Sequence, residues 1–209
     1  MNSPVYKFFE RKWAEEFVMG KSVRLGSISG FRNIEIHKLK KGDESEGQIG
    51  IRKEGGLTIM RNSVLGWQLA SRGIDFDGIN CDLRGAAVRL NVGDARVLCC
   101  SISDGSEIAK DLDASYDTCV RIGNPKLLAH RITDALVRKG MQVGTTMLRE
   151  VQYVGHTVDE NFRFEDGFFL KRSEYQRQRE FRFVWPIEQS ISHIDLKFDP
   201  INCKLKLLS

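Results

Sequence analysis

The chain reads as one α+β domain, residues 1–209, in which two or more helices flank a mostly antiparallel, split β-sheet. Three observations predict this. Short β-like pieces, Leu57–Met60, Ile79–Leu83, Ala87–Val92 and Val97–Ile102, are separated by Gly73, Gly78, Gly85 and Gly93, a spacing of tight turns and not of βαβ units. Two stretches carry helical apolar periodicity. No composition shift, repeat or low-complexity tract marks a domain boundary.

Val5 to Phe9 predicts a short strand. Phe9, Trp13 and Phe17 then recur at every fourth position, one stripe of a helix, and Gly20 follows as its C-terminal cap. Val23 to Ile28 predicts a second strand, running into a turn at Ser29-Gly30. Residues 40–56, rich in glycine and charge, read as a mobile loop or an exposed hairpin. Ser103 to Tyr116 predicts a helix, and Val120 to Ile122 a strand.

The clearest helix opens at Asn124-Pro125. Asn124 can cap the free amides, Pro125 suits the first helical position, and Leu127, Leu128, Ile132, Ala135 and Leu136 form the apolar face up to Gly140. Thr145 to Val154 and Phe162 to Phe164 are further strand candidates. His193 to Phe198 and Cys203 to Leu207 read as a closing hairpin with its turn at Asp199-Pro200.

Composition narrows the function. A 41% hydrophobic fraction supports a sizeable core. A net charge of +4, spread along the chain, suits an anionic ligand or nucleic acid without requiring one. The five cysteines form no Cys-x-x-Cys pair and the four histidines lie far apart, so no zinc knuckle, disulfide framework or other metal site is expected. No apolar run is long enough to span a bilayer, and the N-terminus has no apolar signal segment, so the expectation is a cytoplasmic protein with no membrane partner.

The stretch from Phe168 to Trp185 carries the chemistry. It holds an apolar run (Phe168–Leu170), a polar loop (Lys171–Arg179) and an alternating segment. In an extended chain, side chains two apart share a face. Phe181, Phe183 and Trp185 therefore face the core, with Gln178, Glu180 and Arg182 opposite, towards a cleft or solvent. A carboxylate beside a sugar can stabilise an oxocarbenium-like transition state, and a polar neighbour can orient the incoming nucleophile. The structural alternative makes Glu180 and Arg182 one solvated face of a strand.

The order Phe-x-Lys, Tyr175, then Glu180-Phe181-Arg182 resembles the C-terminal box of an uncharacterised bacterial family whose members read Phe-x-Lys…Tyr…Glu-x-Glu-(aromatic)-Arg. Tyr6-Lys7-Phe8, Val23 to Ser29 with Phe31 and Glu35, Val97 to Ser103, and Val151-Gln152-Tyr153 resemble its other landmarks. That family looks like a divergent branch of the ADP-ribosyltransferase-like superfamily.

The resemblance implies a split β-sandwich of the ADP-ribosyltransferase type, holding NAD as substrate. It implies Glu180 as the catalytic carboxylate and Gln178 as its partner, with Tyr175, Gln176 and Arg177 in a substrate-recognition loop. Ser101 and Ser103 would be the central Ser-x-Ser, with Ser27 and Ser29 as rivals. The first-strand slot offers Tyr6 and Lys7 where the superfamily has Arg or His, so Lys7 or Arg24 would hold the pyrophosphate; Ser29 and Phe31 complete the cofactor-binding set, Phe31 stacking on a ring. The implied function is transfer of ADP-ribose to a protein or nucleic acid, as a bacterial toxin or phage-defence effector with a neutralising antitoxin. NAD hydrolysis and a non-catalytic binding module are the alternatives.

Overall fold

A computed structural model describes residues 3–31, 48–51, 57–59, 70, 81–83, 88–91, 93–155, 164–187 and 193–208. The strands are β1 (Val5–Phe9), β2 (Val23–Ser27), β3 (Gln48–Ile51), β4 (Leu57–Ile59), β5 (Cys81–Leu83), β6 (Val88–Asn91) and β7 (Ala95–Ser101). They continue with β8 (Thr118–Ile122), β9 (Met147–Glu150), β10 (Gln152–Val154), β11 (Leu170–Arg172), β12 (Glu180–Pro186), β13 (His193–Leu196) and β14 (Cys203–Leu207). The helices are α1 (Arg11–Val18), α2 (Ile28–Phe31), α3 (Ser106–Leu112) and α4 (Pro125–Arg138), with 3₁₀ turns at Phe164–Phe169 and Ser173–Gln178.

Eight of these strands form one antiparallel sheet, in the order β13-β2-β7-β1-β8-β14, with β12 attached to β7 and β9 to the far side of β12. β7 is the hub. Along one edge it pairs with the whole of β12, from Glu180↔Ser101 to Pro186↔Ala95. Its other edge is shared: β2 takes one end through Gly26↔Val97 and Ser27↔Arg96, and β1 the other through Tyr6↔Ser101. The sheet therefore forks beside β7. β3 pairs with β6 and β4 with β5 in separate two-stranded units, and β10 pairs with β11 in parallel.

Pairing registers assign the two faces of the main sheet, because directly opposed residues lie on the same side. One face carries the main core: Val5 of β1, Leu25 of β2, Leu98 and Cys100 of β7, Val120 and Ile122 of β8, and Phe181, Phe183 and Trp185 of β12. α1 adds Ala14 and Phe17, and α4 adds Leu128, Ala129, Ile132, Ala135 and Leu136. Trp185 Nε1 donates to Thr133 Oγ1 at 2.9 Å and fixes β12 to α4. The opposite face carries Tyr6, Phe8, Cys99, Ser101, Cys119, Glu180 and Arg182, and α3 covers part of it through Ile108 and Ala109.

Most local expectations match these elements. β1 spans Val5–Phe9, Asn124 Oδ1 accepts from the Leu127 amide at 3.0 Å, and both Gly20 and Gly140 cap helices at positive φ. The aromatics of β12 face the core as the alternation requires. No described helix is long and apolar enough to cross a membrane.

Other expectations are corrected. The C-terminal segments are not a hairpin: β13 pairs with β2 and β14 with β8, at opposite edges. The sheet is curled, and the residues between them carry Phe198 and Ile201 into the core instead of forming a tight turn. The Thr145–Val154 strand is two strands broken at Val151, because β9 pairs with β12 and β10 leaves to pair with β11. The Ser103–Tyr116 helix shortens to Ser106–Leu112. Of the loop expected at 40–56, residues 40–47 and 52–56 lie outside the described residues, as do residues 162–163 of the Phe162–Phe164 strand.

Gly20 is where α1 hands over to β2. It adopts φ 67°, its carbonyl accepts from Phe198 N, and an added Cβ would lie 2.1 Å from the Phe198 carbonyl oxygen. Both the left-handed backbone and the close approach exclude a side chain. Gly20→Ala should lower unfolding free energy by more than about 1 kcal/mol in urea titration.

Candidate functional site

The site forms where β12 begins. Arg179, in the residue before it, has φ 45° and is the sole described non-glycine residue at positive φ. Such strain collects at functional sites. Its carbonyl accepts from the Ile102 amide at 2.9 Å and from Ser101 Oγ at 3.3 Å, so the end of β7 holds the turn. The bend places Gln178, the last residue of a 3₁₀ turn, and Glu180, the first of β12, against the same cation.

That cation is Lys171. Its Nζ donates to Gln178 Oε1 at 2.8 Å and to Glu180 Oε2 at 2.9 Å. Arg182 grips the other carboxylate oxygen: Nε donates to Oε1 at 2.7 Å and Nη2 to Oε2 at 3.4 Å, while Nη1 donates to the Phe168 carbonyl at 2.8 Å. Lys171 Nζ also lies 4.9 Å from the centre of the Tyr175 ring. The Glu180 amide donates to Tyr153 Oη at 2.8 Å, linking the site to β10. Lys171 and Arg182 thus meet on one carboxylate, and Gln178 and Tyr175 meet the same lysine.

The polar face of β12 does not look into solvent: Glu180 is 4% exposed and Arg182 1%. A cap formed by β10, β11 and the two 3₁₀ turns lies over it, with Phe168, Phe169 and Leu170 buried. This corrects the reading of an open cleft or solvated face. The apolar run before Lys171 drives the cap down, and the ammonium goes in with it because two acceptors meet it.

Burial by itself pushes the Glu180 carboxyl upward and is the largest single influence. The charges of Arg182 and Lys171, with hydrogen bonds from Arg182 and Cys99, outweigh it and hold the group well below the usual carboxylate range. Desolvation, then the Glu180 charge, push the Cys99 thiol up, so it is not a nucleophile at neutral pH. Burial likewise raises the Tyr153 hydroxyl.

The remaining sequence-derived residues scatter. Ser101 is buried opposite Glu180, and its Oγ accepts from the Ser103 amide at 3.1 Å, so this Ser-x-Ser shapes the turn beside the carboxylate. Ser27 and Ser29 bond to each other at 3.2 Å, and Ser29 binds Asp94 through its amide and hydroxyl. Phe31 shares the Glu180 face by register; its ring covers Gly26, where a Cβ would lie 2.7 Å from it. Arg24 forms a bidentate, exposed ion pair with Asp195 at 2.9 and 3.1 Å. Lys7 is on the opposite face, 5.5 Å from the Phe9 ring centre, and is not brought to the site. Tyr175 is half-buried, and Gln176 and Arg177 are exposed on the cap.

Lys171, Arg182 and Tyr153 received no individual role from the sequence. A lysine directly after a buried apolar run, and an Arg two residues beyond a Glu in a strand, were the available signals. No group of three or more potential metal ligands occurs among the described residues. Comparison with family models, curated proteins and solved structures returned no match.

The depressed carboxyl makes Glu180 a stabilising group above its ordinary value of 4.5, with that contribution lost as pH falls below it. Acid unfolding of the wild type should therefore steepen below that pH, and Glu180→Gln should flatten the acid limb in pH-dependent urea melts. Glu180→Ala, which leaves Lys171 and Arg182 buried without their anion, should cost about 3–5 kcal/mol at neutral pH.

Proposed function

We propose that the protein is an NAD-dependent ADP-ribosyltransferase acting on a macromolecule, with Glu180 as its catalytic carboxylate. The observation that carries this is the meeting of Lys171 and Arg182 on a carboxylate at the first residue of a strand, with Gln178 and Tyr175 on the same lysine, beside a serine at the end of the hub strand. The split sheet of the ADP-ribosyltransferase type belongs to the same reading, supported by the fork at β7.

In this reading the chain's own residues have defined tasks. The two cations keep Glu180 ionised at any physiological pH, so a negative charge is ready for an oxocarbenium-like ribosyl centre. Gln178 orients the acceptor nucleophile. Substrate access requires the Ser173–Gln178 turn to lift, Lys171 releasing Gln178 and Glu180 as it goes, with the strained Arg179 as the hinge. The exposed Gln176 and Arg177 on that turn meet the acceptor. A toxin or defence role, paired with an antitoxin that holds the cap closed, is the biological form this chemistry takes.

A second reading has its own observation: both Glu180 oxygens are occupied by cations in the closed cap. It makes the trio a structural lock within a binding module. Nicotinamide release from NAD separates the two. The wild type should release nicotinamide, faster with protein, RNA or DNA as acceptor, and Glu180→Gln should lower the rate about 10²–10³-fold per folded molecule. Acceptor-independent release identifies an NAD hydrolase. No release from a folded wild type with any acceptor selects the structural lock.

A further inference from the structure

The registers of five neighbouring strands put one residue from each into a single row across the Glu180 face. Glu180 of β12 lies opposite Ser101 of β7, Ser101 opposite Tyr6 of β1, Tyr6 opposite Arg121 of β8, and Arg121 opposite Lys204 of β14. The row begins with a buried carboxylate and a buried hydroxyl, passes a half-buried phenol and ends on two exposed cations.

The basic end is unusual as structure. Arg121 and Lys204 are like charges directly opposed across two strands, an arrangement that destabilises a sheet. Neither has an acidic partner among the described residues. Asp104, three residues past the end of β7, is taken by Lys206 at 2.9 Å and does not neutralise them. The Arg121 guanidinium folds back towards Gly123, its Nη1 3.6 Å from where a Cβ would stand, and so lies beside the start of the 14-residue helix α4. The positive end of that helix adds to the attraction for an anion.

We infer that Arg121 and Lys204 form a diphosphate-binding site at the end of the row that begins at Glu180. The choice of a dinucleotide's diphosphate as ligand rests on the proposed function, while the cation pair stands on the registers themselves. Strands are spaced about 4.8 Å apart, so about 14 Å of sheet separates the Glu180 and Arg121 backbones. Between those two ends the half-buried Tyr6 packs against the cluster that α3 forms with Phe8 and Cys119, so the two cations make a phosphate site of their own at the far end of the row. The two cations meet the diphosphate with a planar fork from Arg121 and a point charge from Lys204. This assigns to β8 and β14 the task that Lys7 and Arg24, one on the wrong face and the other ion-paired to Asp195, do not perform.

Titration calorimetry with inorganic diphosphate and with ADP-ribose tests the site apart from the chemistry. Both should bind the wild type, with affinity falling as salt rises. Arg121→Gln and Lys204→Gln should each weaken binding about ten-fold, the loss of one charge-assisted contact. Glu180→Gln should leave diphosphate binding unchanged, and so should Lys12→Gln on α1. Lys204→Glu creates an opposed ion pair with Arg121. It should hold or raise Tm while abolishing diphosphate binding, which distinguishes a lost site from a lost fold.

Absence of diphosphate binding to the wild type overturns the inference. So does undiminished binding to the Arg121→Gln/Lys204→Gln double variant, whether or not NAD is cleaved. Binding that depends on both cations without nicotinamide release upholds the phosphate site and overturns the catalytic reading.

Discussion

The pairing of Glu180 with Lys171 and Arg182 is the constraint around which the rest of this face is arranged. A buried carboxylate is tolerated when its charge is met at close range, and here both oxygens are met within 3 Å. Lys171 comes from the cap, Arg182 and Glu180 from the sheet. The trio therefore joins two layers that otherwise meet through Phe168, Phe169 and Leu170. It also fixes where the cap sits, because one ammonium must satisfy Gln178 and Glu180 together. A layer held by apolar packing alone could slide; one held by a three-point ionic contact cannot without uncovering charge.

What the sequence made legible was local. β1, the Asn124-Pro125 start of α4, the glycine caps and the alternation of Phe181, Phe183 and Trp185 each depend on residues within a few positions of one another. Glu180 could be singled out because its neighbours spell a recognisable order. Its burial could not: a polar strand face looks solvated in a sequence, and only the return of Phe168–Leu170 over it changes that. The false hairpin of β13 and β14 has the same origin. Alternation marks a strand but not its partner, and the partners here, Val23–Ser27 and Thr118–Ile122, are remote in the chain.

The row from Glu180 to Lys204 is the extreme case of non-local information. Its members stand at positions 6, 101, 121, 180 and 204, and no spacing rule links them. Arg121 and Lys204 look in the sequence like ordinary strand residues on a solvated side. Only four consecutive registers place them on the carboxylate's face and in its line, and a slip of one residue in any of them would send the cations to the opposite side.

The hub position of β7 has a consequence for how the chain is made. Its three partners come from residues 5–9, 23–27 and 180–186, so the strand is hydrogen-bonded on one side early in synthesis and on the other only after most of the chain has emerged. Until then Ala95 to Ser101, almost wholly apolar or buried in the finished sheet, presents an open edge. Contacts of such long sequence separation fold slowly and leave a sticky intermediate. The chain thus spends its assembly with the Glu180 half of the site missing, and the row of polar and charged groups is completed only when the last third of the molecule closes over the first.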